Sequence, residues 1–270
     1  MTHLQTEAPL NGIFNPLDGR ANRTTRTPRG NVSANPLTRA ILRYDTGGQC
    51  DASDITDAMT HIHEVGNRHH FPARSSARTA HVLVAGWGFR SQLLRDGARQ
   101  ITDLIAPGDF CHPFASEEGL PAPIEACGPA RVATLNIELL PDRARAVVHR
   151  GQQMQQDAMI RRLHARLVSL GRRDARARLA YFMAETHARL AGFGLTESNR
   201  YDWPFTQEHL ADILGLTSVH INRVLGRLRD EGLFVVSNRQ VTILDLVGLR
   251  HAGDFEAQQG IINRGDHDQF

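Results

Sequence analysis

The sequence contains no lysine, so all 31 of its basic residues are arginine, set against 29 acidic residues and 14 histidines. The formal net charge is therefore only +2. A charge this small permits a nucleic-acid partner but does not by itself indicate one. We attach no function to the missing lysine.

Long apolar stretches are also missing, since no run approaches the roughly 20 residues that a membrane-spanning helix needs. The first ten residues lack the charged-then-apolar pattern of a secretory signal. The three cysteines, Cys50, Cys111 and Cys127, are odd in number and far apart, which argues against a disulfide framework. We expect a cytoplasmic protein with no membrane partner.

The chain is long enough for two domains with cores of their own, at 270 residues and 41% hydrophobic content. Its beginning is rich in Asn, Thr, Pro, Gly and Arg without apolar periodicity, as in disordered segments. We predict five segments: a disordered tail (1–36), a sensory β-rich domain (37–139), a long dimerisation helix (140–171), a second domain (172–250) and a flexible tail (251–270).

The middle of the chain has the composition of antiparallel strands. Residues 81–94 are apolar, and Arg95-Asp96-Gly97 predicts a hairpin turn because glycine accepts a positive φ without steric cost. Arg99–Ala106 is the predicted return strand. Ile124–Cys127 and Arg131–Ile137 form a second predicted strand pair. This part of the chain is therefore expected to be a small all-β unit.

Helical periodicity surrounds this β-rich part. Short helices are predicted at Pro36–Tyr44 and Ser53–Met59, a long one at Pro141–Leu170 ending at Gly171, and another at Asp174–Leu190. Apolar residues recur on one face of the long helix at spacings typical of a dimerisation element. These predicted interface residues are Met159, Leu163, Leu167 and Leu170. The alternative is a helix that packs only on its own domain.

Residues 205–232 predict two short helices joined by a tight turn. Thr206 and Thr217 can each cap a helix through the side-chain oxygen. Gly215 stands where the turn needs a positive φ. Ala211 is small where the helices cross, and Ile221 and Val224 follow at the spacing of a helix-turn-helix.

A two-stranded wing is predicted directly after the second helix, from Leu233–Ser237 and Gln240–Leu244 joined at Asn238-Arg239. An ordinary helical hairpin would not need this wing, nor a glycine and aliphatic residues at these offsets. The combination predicts a winged helix-turn-helix, and hence a double-stranded DNA partner.

Residues 207–244 resemble the winged helix-turn-helix of the Crp/Fnr superfamily of transcription regulators. Three upstream segments are similar to its cyclic-nucleotide-binding-type β-roll: Ala85–Arg90, Leu93–Ile101 and Pro107–Cys111. The resemblance covers roughly residues 37–250. It implies an α+β fold with an N-terminal antiparallel, jelly-roll-like β-roll, a long dimerisation helix and a C-terminal winged helix-turn-helix.

The resemblance also implies function: a bacterial homodimer that binds an inverted-repeat DNA site and contacts RNA polymerase if it is an activator. The implied base-reading residues are Ser218, Val219, Asn222 and Arg223. Thr206, Thr217, His220, Arg227 and Arg239 are the implied phosphate contacts. Arg223 matches the family's base-reading arginine, whereas Val219 replaces a glutamate. We therefore expect the DNA half-site of this chain to differ from the half-sites read by better-known members of the family.

The predicted sensory domain departs from the family's known effector sites. Residues 108–125 contain no arginine, and prolines stand where an Arg-Ser pair holds the phosphate, so cyclic-nucleotide binding is not expected. Three scattered cysteines cannot supply the four thiolates of an iron–sulfur cluster. No cofactor and no metal site are predicted. An unidentified small ligand, or none, is the expectation.

Haem or a metal ion is the sharper alternative for the sensory domain. Histidine and cysteine pairs occur at His61-x-His63, His69-His70 and Cys111-His112, and both residue types are ordinary haem ligands. Cys111 and His112 are the candidate ligands. Cys111 could otherwise be a redox-sensitive thiol or a buried structural residue.

The two alternative classes of protein are an enzyme and a protein-binding module. The sequence contains no nucleophile motif, phosphate loop or HExxH-like spacing, so an enzyme is not expected. A degenerate winged helix that binds protein instead of DNA stays open, because Val219 and the small net charge favour it.

Overall fold

A computed structural model describes residues 35–48, 50–72, 78–112 and 123–256, which all belong to one compact unit. The predicted disordered tail, up to residue 34, lies outside the described residues, as does the C-terminal tail from residue 257 onward. Within the described ranges, no helix is both long enough and apolar enough to cross a membrane.

The N-terminal half of the described chain is an antiparallel β-roll preceded by two short helices. The helices are α1 (Pro36–Leu42) and α2 (Ala52–Asp57), and the strands are β1 (Met59–Val65), β2 (Thr79–Ala85), β3 (Gly88–Leu93), β4 (Arg99–Ile105), β5 (Glu125–Ala126) and β6 (Ala130–Asn136). One sheet has the order β1-β6-β2 and the other the order β4-β3-β5. A short 3-10 turn, Ile137–Leu139, follows β6.

The predicted hairpin between β3 and β4 is confirmed. Leu93 pairs with Arg99, and Gly97 takes a φ of 87° in the turn between them. The predicted pairing of residues 124–127 with residues 131–137 is wrong. β5 pairs instead with β3, and β6 pairs with β1 and β2. A hairpin was predicted because the two segments are close in sequence. The observed partners of β5 and β6 are instead strands that are distant in sequence.

Two features of the β-roll escaped the sequence analysis. β1 was not predicted, because its exposed histidines break the apolar alternation that marks a strand. The single apolar stretch 81–94 is two strands divided at Gly86. A Cβ atom at Gly86 would lie 2.3 Å from the Pro129 carbonyl oxygen, so only glycine permits this close approach.

The long helix and the helix after it are observed as α3 (Asp142–Arg172) and α4 (Ala175–Gly192). Gly171 does not end α3, contrary to the prediction, because it lies inside the helix without a positive φ. The break comes instead at Arg173 and Asp174, which are extended. Asp174 then caps α4, accepting a 2.8 Å hydrogen bond from the amide of Ala177.

The C-terminal domain, residues 175–253, continues with six further elements: β7 (Arg200–Asp202), α5 (Gln207–Leu214), α6 (Ser218–Asp230), β8 (Phe234–Ser237), β9 (Gln240–Ile243) and α7 (Leu246–Gly253). The predicted wing is confirmed as β8 and β9, and β7 adds an unpredicted third strand beside β9. α7 runs past the predicted domain end at residue 250, so residues 251–253 are helix rather than tail.

The cores of the two halves are arranged differently. One core lies between the β1-β6-β2 sheet and the helices α1 and α3, where Ile41, Ala133 and Val148 are fully buried. A second core joins the β4-β3-β5 sheet to the C-terminal domain, with Phe89 and Phe205 among its members. The C-terminal domain is therefore held against the β-roll by a shared apolar interior.

Candidate nucleic-acid interface

The helix pair α5–α6 is built by its caps and its turn. Thr206 Oγ1 accepts a 3.1 Å hydrogen bond from the His209 amide, and Thr217 Oγ1 accepts one of 3.2 Å from the His220 amide. Gly215 between the helices has φ 63° and ψ 43°, the left-handed conformation. The two caps and the turn glycine predicted from sequence are confirmed.

The inner face of α6 fixes its position on the domain. Ile221, Val224 and Leu228 are buried, at spacings of three and four residues that place them on one side of the helix. Ala211 of α5 is also buried where the two helices meet. With this side occupied by core contacts, the opposite side of α6 is turned away from the protein.

The outer face of α6 carries the predicted base-reading residues. Val219, Asn222 and Arg223 are exposed, and their spacing places them together on the side opposite to Ile221. Val219 is 71% exposed, which is unusual for an aliphatic side chain in a well-packed domain. Ser218, the first residue of the helix, is only half-buried. The structure therefore brings all four residues to one end of α6.

The predicted phosphate contacts lie at the start of α5, on α6 and in the turn of the wing. Thr206 and Thr217 use their hydroxyl oxygens as acceptors in the caps, which leaves each hydroxyl proton free to donate to a phosphate. His220 is exposed on the first turn of α6. Arg227 is exposed, with its Nε 3.7 Å from Glu231.

Arg239 occupies the turn of the wing, where Asn238 and Arg239 have φ values of 51° and 59°. Its side chain is exposed, but it also lies close to the β-roll, since a Cβ atom at Gly128 would be 3.7 Å from Arg239 Nη2. Arg239 is therefore a phosphate-contact candidate that also approaches the other half of the protein.

Sequence reasoning missed the anchoring of α5 on the β-roll. Arg99 Nε of β4 lies 2.7 Å from Asp212 Oδ2 of α5, and both side chains are about three-quarters buried. Gln100 donates a 2.6 Å hydrogen bond to the Asp212 carbonyl oxygen. No local spacing could have indicated these contacts, because more than 100 residues separate the partners along the chain.

Aromatic contacts reinforce the same anchor. The Trp87 and Phe205 rings meet edge to face at 5.2 Å, and Phe89 lies 5.3 Å from the His209 ring. Cys127 Sγ is 3.5 Å from His209 Nδ1, and burial raises the pKa of Cys127 to about 11. The first helix of the helix-turn-helix is thus attached directly to the β-roll.

The predicted dimer residues do not all share one surface. Leu163 and Leu167 are exposed, Leu167 to 72%, and Met159 is half-buried. Leu170 instead packs on its own chain, where a Cβ atom at Gly215 would lie 3.1 Å from Leu170 Cδ2. Ile160 and Val168, which the sequence analysis omitted, are exposed apolar residues of α3.

Cys111 and His112, the two candidate ligands for haem or a metal ion, are both buried. Cys111 is fully enclosed, and burial raises the pKa of its thiol, so the reactive thiolate is disfavoured. Burial and the neighbouring Arg90 lower the pKa of His112 to about 4. His112 Nε2 lies 3.3 Å from the Pro72 carbonyl oxygen. The position of Cys111 therefore favours a structural role over that of a redox-sensitive thiol.

Comparison with known proteins agrees with this geometry. Residues 177–252 match the Crp-like helix-turn-helix domain family, a range that begins in α4 and ends in α7. The C-terminal domain is therefore a Crp-like helix-turn-helix domain.

The similarity extends beyond that domain. The transcriptional activator protein FnrL of Cereibacter sphaeroides is 28% identical over 179 residues, which cover 64% of this chain and 72% of that protein. The nitrogen fixation regulation protein FixK of Azorhizobium caulinodans is 26% identical over 177 residues, covering 64% of this chain and 71% of that protein.

Solved structures show the same architecture. FixK2 from Bradyrhizobium japonicum superposes with a TM-score of 0.59 at 24% identity, covering 74% of this chain and 99% of that one. A CRP-family transcriptional regulator from Thermus thermophilus superposes with a TM-score of 0.53 at 25% identity, covering 72% and 97%. The chain therefore shares its fold with these regulators: a β-roll, a long helix and a C-terminal winged helix-turn-helix.

Proposed function

We propose that this chain is a homodimeric transcription regulator that binds an inverted-repeat DNA site through α6. The observation that carries the proposal is the division of α6 into two faces. Ile221 and Val224 are buried against the domain, while Asn222 and Arg223 project from it. Such a helix can enter the major groove with its N-terminal side chains toward the bases.

Each outward side chain has a partner that suits its chemistry. Arg223 carries the forked donor that pairs with O6 and N7 of guanine, and Asn222 has the amide that pairs with adenine. Val219 accepts no hydrogen bond but can contact the methyl group of thymine. We infer a half-site that contains a guanine read by Arg223, and that differs from the sites of relatives with glutamate at position 219.

Dimerisation is supported by the exposed apolar residues of α3. The helix has 31 residues and is therefore about 46 Å long. Ile160, Leu163 and Leu167 are exposed at spacings of three and four residues, so they share one face of the helix. A second copy of the chain would cover this face. The two copies of α6 would then read half-sites about 10–10.5 base pairs apart.

The test is selection of duplexes from a random library by the wild-type protein, followed by titrations on the winning site. We expect inverted repeats, and weaker binding to a single half-site. Arg223→Ala should lose the preference for the selected site, whereas Arg239→Ala should weaken binding to all duplexes about equally. Arg200→Ala, at an exposed arginine of β7 that is not among the predicted DNA contacts, is the matched control and should bind like the wild type.

One observation favours a second candidate function. The exposed Val219 at the start of α6 would equally suit contact with an apolar protein surface. If the winged helix binds a protein instead of a DNA site, the selection should enrich no duplex sequence, and the titrations should show no difference in affinity between duplexes. The haem- or metal-sensor alternative concerns the β-roll, and a Soret band in the absorption spectrum of the purified protein tests the haem version.

A further inference from the structure

The C-terminal domain is joined to α3 by a very short link. α3 ends at Arg172 and α4 begins at Ala175, so the link consists of Arg173 and Asp174, both with extended backbone. We refer to these two residues as the hinge. Rotation about their backbone bonds would swing α4, and the helices packed on it, relative to α3. Contacts across the hinge are therefore needed to fix the orientation of the helix-turn-helix.

Arg178 lies in the first part of α4 and reaches back across the hinge. Its Nε donates a 2.9 Å hydrogen bond to the carbonyl oxygen of Arg173, and its Nη2 donates one of 2.9 Å to that of Leu170 in α3. Its Nη1 donates a 3.2 Å hydrogen bond to the carbonyl oxygen of Leu214, the last residue of α5. All three guanidinium nitrogens thus hold carbonyl groups, one each from the hinge, from α3 and from the helix-turn-helix.

Two of these carbonyl groups are ones that a helix cannot satisfy by itself. The last four C=O groups of an α-helix have no amide partner within the helix, and they form the negative end of its dipole. Leu170 and Leu214 lie in the last turns of α3 and α5. A guanidinium placed between two helix ends satisfies both through charge-assisted hydrogen bonds. Arg178 therefore joins the end of α3 to the end of α5.

The same end of α5 also meets the β-roll. Gln100 Nε2 donates hydrogen bonds to the carbonyl oxygens of Asp212 and Ile213, at 2.6 and 3.3 Å. α5 is therefore tied to β4 by Gln100 and to α3 by Arg178. The tight turn at Gly215 follows immediately and leads into α6, so a fixed end of α5 also fixes the start of α6.

We propose that Arg178 is a positioning residue that sets the spacing of the two half-sites that the dimer accepts. This proposal deepens the proposed function and rests on it. The distance between the two copies of α6 depends on how each C-terminal domain is oriented relative to its α3. Half-sites one helical turn apart, about 10–10.5 base pairs, must both present their grooves to the protein. A dimer with fixed hinges accepts one spacing, whereas a dimer with loose hinges accepts several.

The role depends on the shape of the arginine side chain as well as on its charge. A guanidinium directs its donors along fixed directions from three nitrogens, whereas a lysine carries all its donors on one nitrogen. Lysine at this position therefore does not reproduce three hydrogen bonds that leave from three different nitrogens. Arg178→Lys keeps the positive charge beside the helix ends but loses this clamp.

The experiment is a series of DNA titrations with the full-length protein, on inverted repeats of the selected half-site with spacings varied in steps of one base pair. The wild type should prefer one spacing. In Arg178→Met and Arg178→Lys this preference should fall by about tenfold, the factor that corresponds to one hydrogen bond to a charged group. Affinity for a single half-site and the preference for its sequence should not change, because the outer face of α6 is untouched.

The matched control is Arg172→Met, at an exposed arginine next to the hinge. It removes the same charge and the same side chain, so it should keep the spacing preference of the wild type. Equal loosening in Arg172→Met would show that any lost arginine in this region has the effect.

A second measurement needs no DNA. A spin label attached through Asp230→Cys, at an exposed residue at the end of α6, reports the distance between the two copies of α6 in the dimer. The native cysteines are buried, so the label attaches to position 230. Arg178→Met should broaden the distribution of distances measured by pulsed electron resonance, and Arg172→Met should not.

Each result bears directly on the proposal. A wild-type spacing preference in either Arg178 variant, equal loosening in Arg172→Met, or an unchanged distance distribution would overturn it. Loss of the half-site sequence preference together with the spacing preference would also overturn it, because Arg178 would then support folding of the helix-turn-helix. A wild type that enriches no duplex would contradict the proposed function. The label distances distinguish that case, because they test the orientation of α6 without DNA.

Discussion

The outer face of α6 and the interior of the β-roll differ in how their polar side chains are held. On α6, Asn222 and Arg223 stand in solvent, and the helix beneath them is fixed by caps and a buried inner face. In the roll, Arg90 and Asp103 are buried and joined at 3.0 Å. Asn222 and Arg223 are available to a partner outside the protein, whereas Arg90 and Asp103 are paired with each other.

The largest expected effect separates the two faces of α6. Ile221 is fully buried, so Ile221→Ala should lower the free energy of unfolding by about 2–5 kcal/mol. Val219→Ala, on the exposed face, should change it by less than about 0.5 kcal/mol. Urea denaturation measures both, and similar values for the two variants would contradict the assignment of the faces.

The next effect concerns pH and the roll interior. The pKa of His112 falls from 6.5 to about 4 on burial, so below pH 6.5 the unfolded chain binds a proton that the folded chain does not. Stability is therefore retained above pH 6.5 and lost as the pH falls, by about 2 kcal/mol from His112 between pH 6.5 and 5. Urea denaturation at several pH values should show a smaller acid loss in His112→Gln. His149→Gln, at the protein surface, serves as the control and should follow the wild type.

Two glycines give a matched pair of smaller effects. Gly215 has φ 63° and lies close to Leu170, so Gly215→Ala should cost about 1–2 kcal/mol. Gly171 lies within α3 with open space around it, so Gly171→Ala should stabilise the protein by roughly 0.5–1 kcal/mol. Thermal denaturation gives the sign of each change. If both substitutions stabilised the protein, or both destabilised it, the interpretation of one of the two glycines would be wrong.

A further small effect is expected at the contact between the β-roll and the C-terminal domain. A double-mutant cycle on Arg99→Ala and Asp212→Ala should give a coupling energy of about 1 kcal/mol, because the pair is three-quarters buried and joined at 2.7 Å. Arg227 and Glu231, 3.7 Å apart and more exposed, form the comparison pair and should couple by less than about 0.5 kcal/mol.

The comparison also explains what the sequence could predict. The caps at Thr206 and Thr217, the turn at Gly215 and the wing are local, since each depends on a few adjacent residues. All of them are confirmed. The hairpin at Gly97 is local in the same sense, and it is confirmed as well.

The errors concern contacts between distant parts of the chain. The partners of β5 and β6, the contact of Leu170 with the Gly215 turn, and the anchoring of α5 on β4 all depend on tertiary packing. A single sequence contains no periodicity that specifies them. Gly171 illustrates the same limit, because a glycine can end a helix or continue it, and the neighbouring extended residues decided the outcome.

The central claim is that Arg223 reads a base, and the most direct measurement is an affinity profile over every single-base change in the selected half-site. Wild-type protein should show one position where replacing guanine costs about 1–3 kcal/mol. In Arg223→Ala that position alone should become indifferent to base identity, while the other positions keep their preferences. A profile unchanged by Arg223→Ala would contradict the claim.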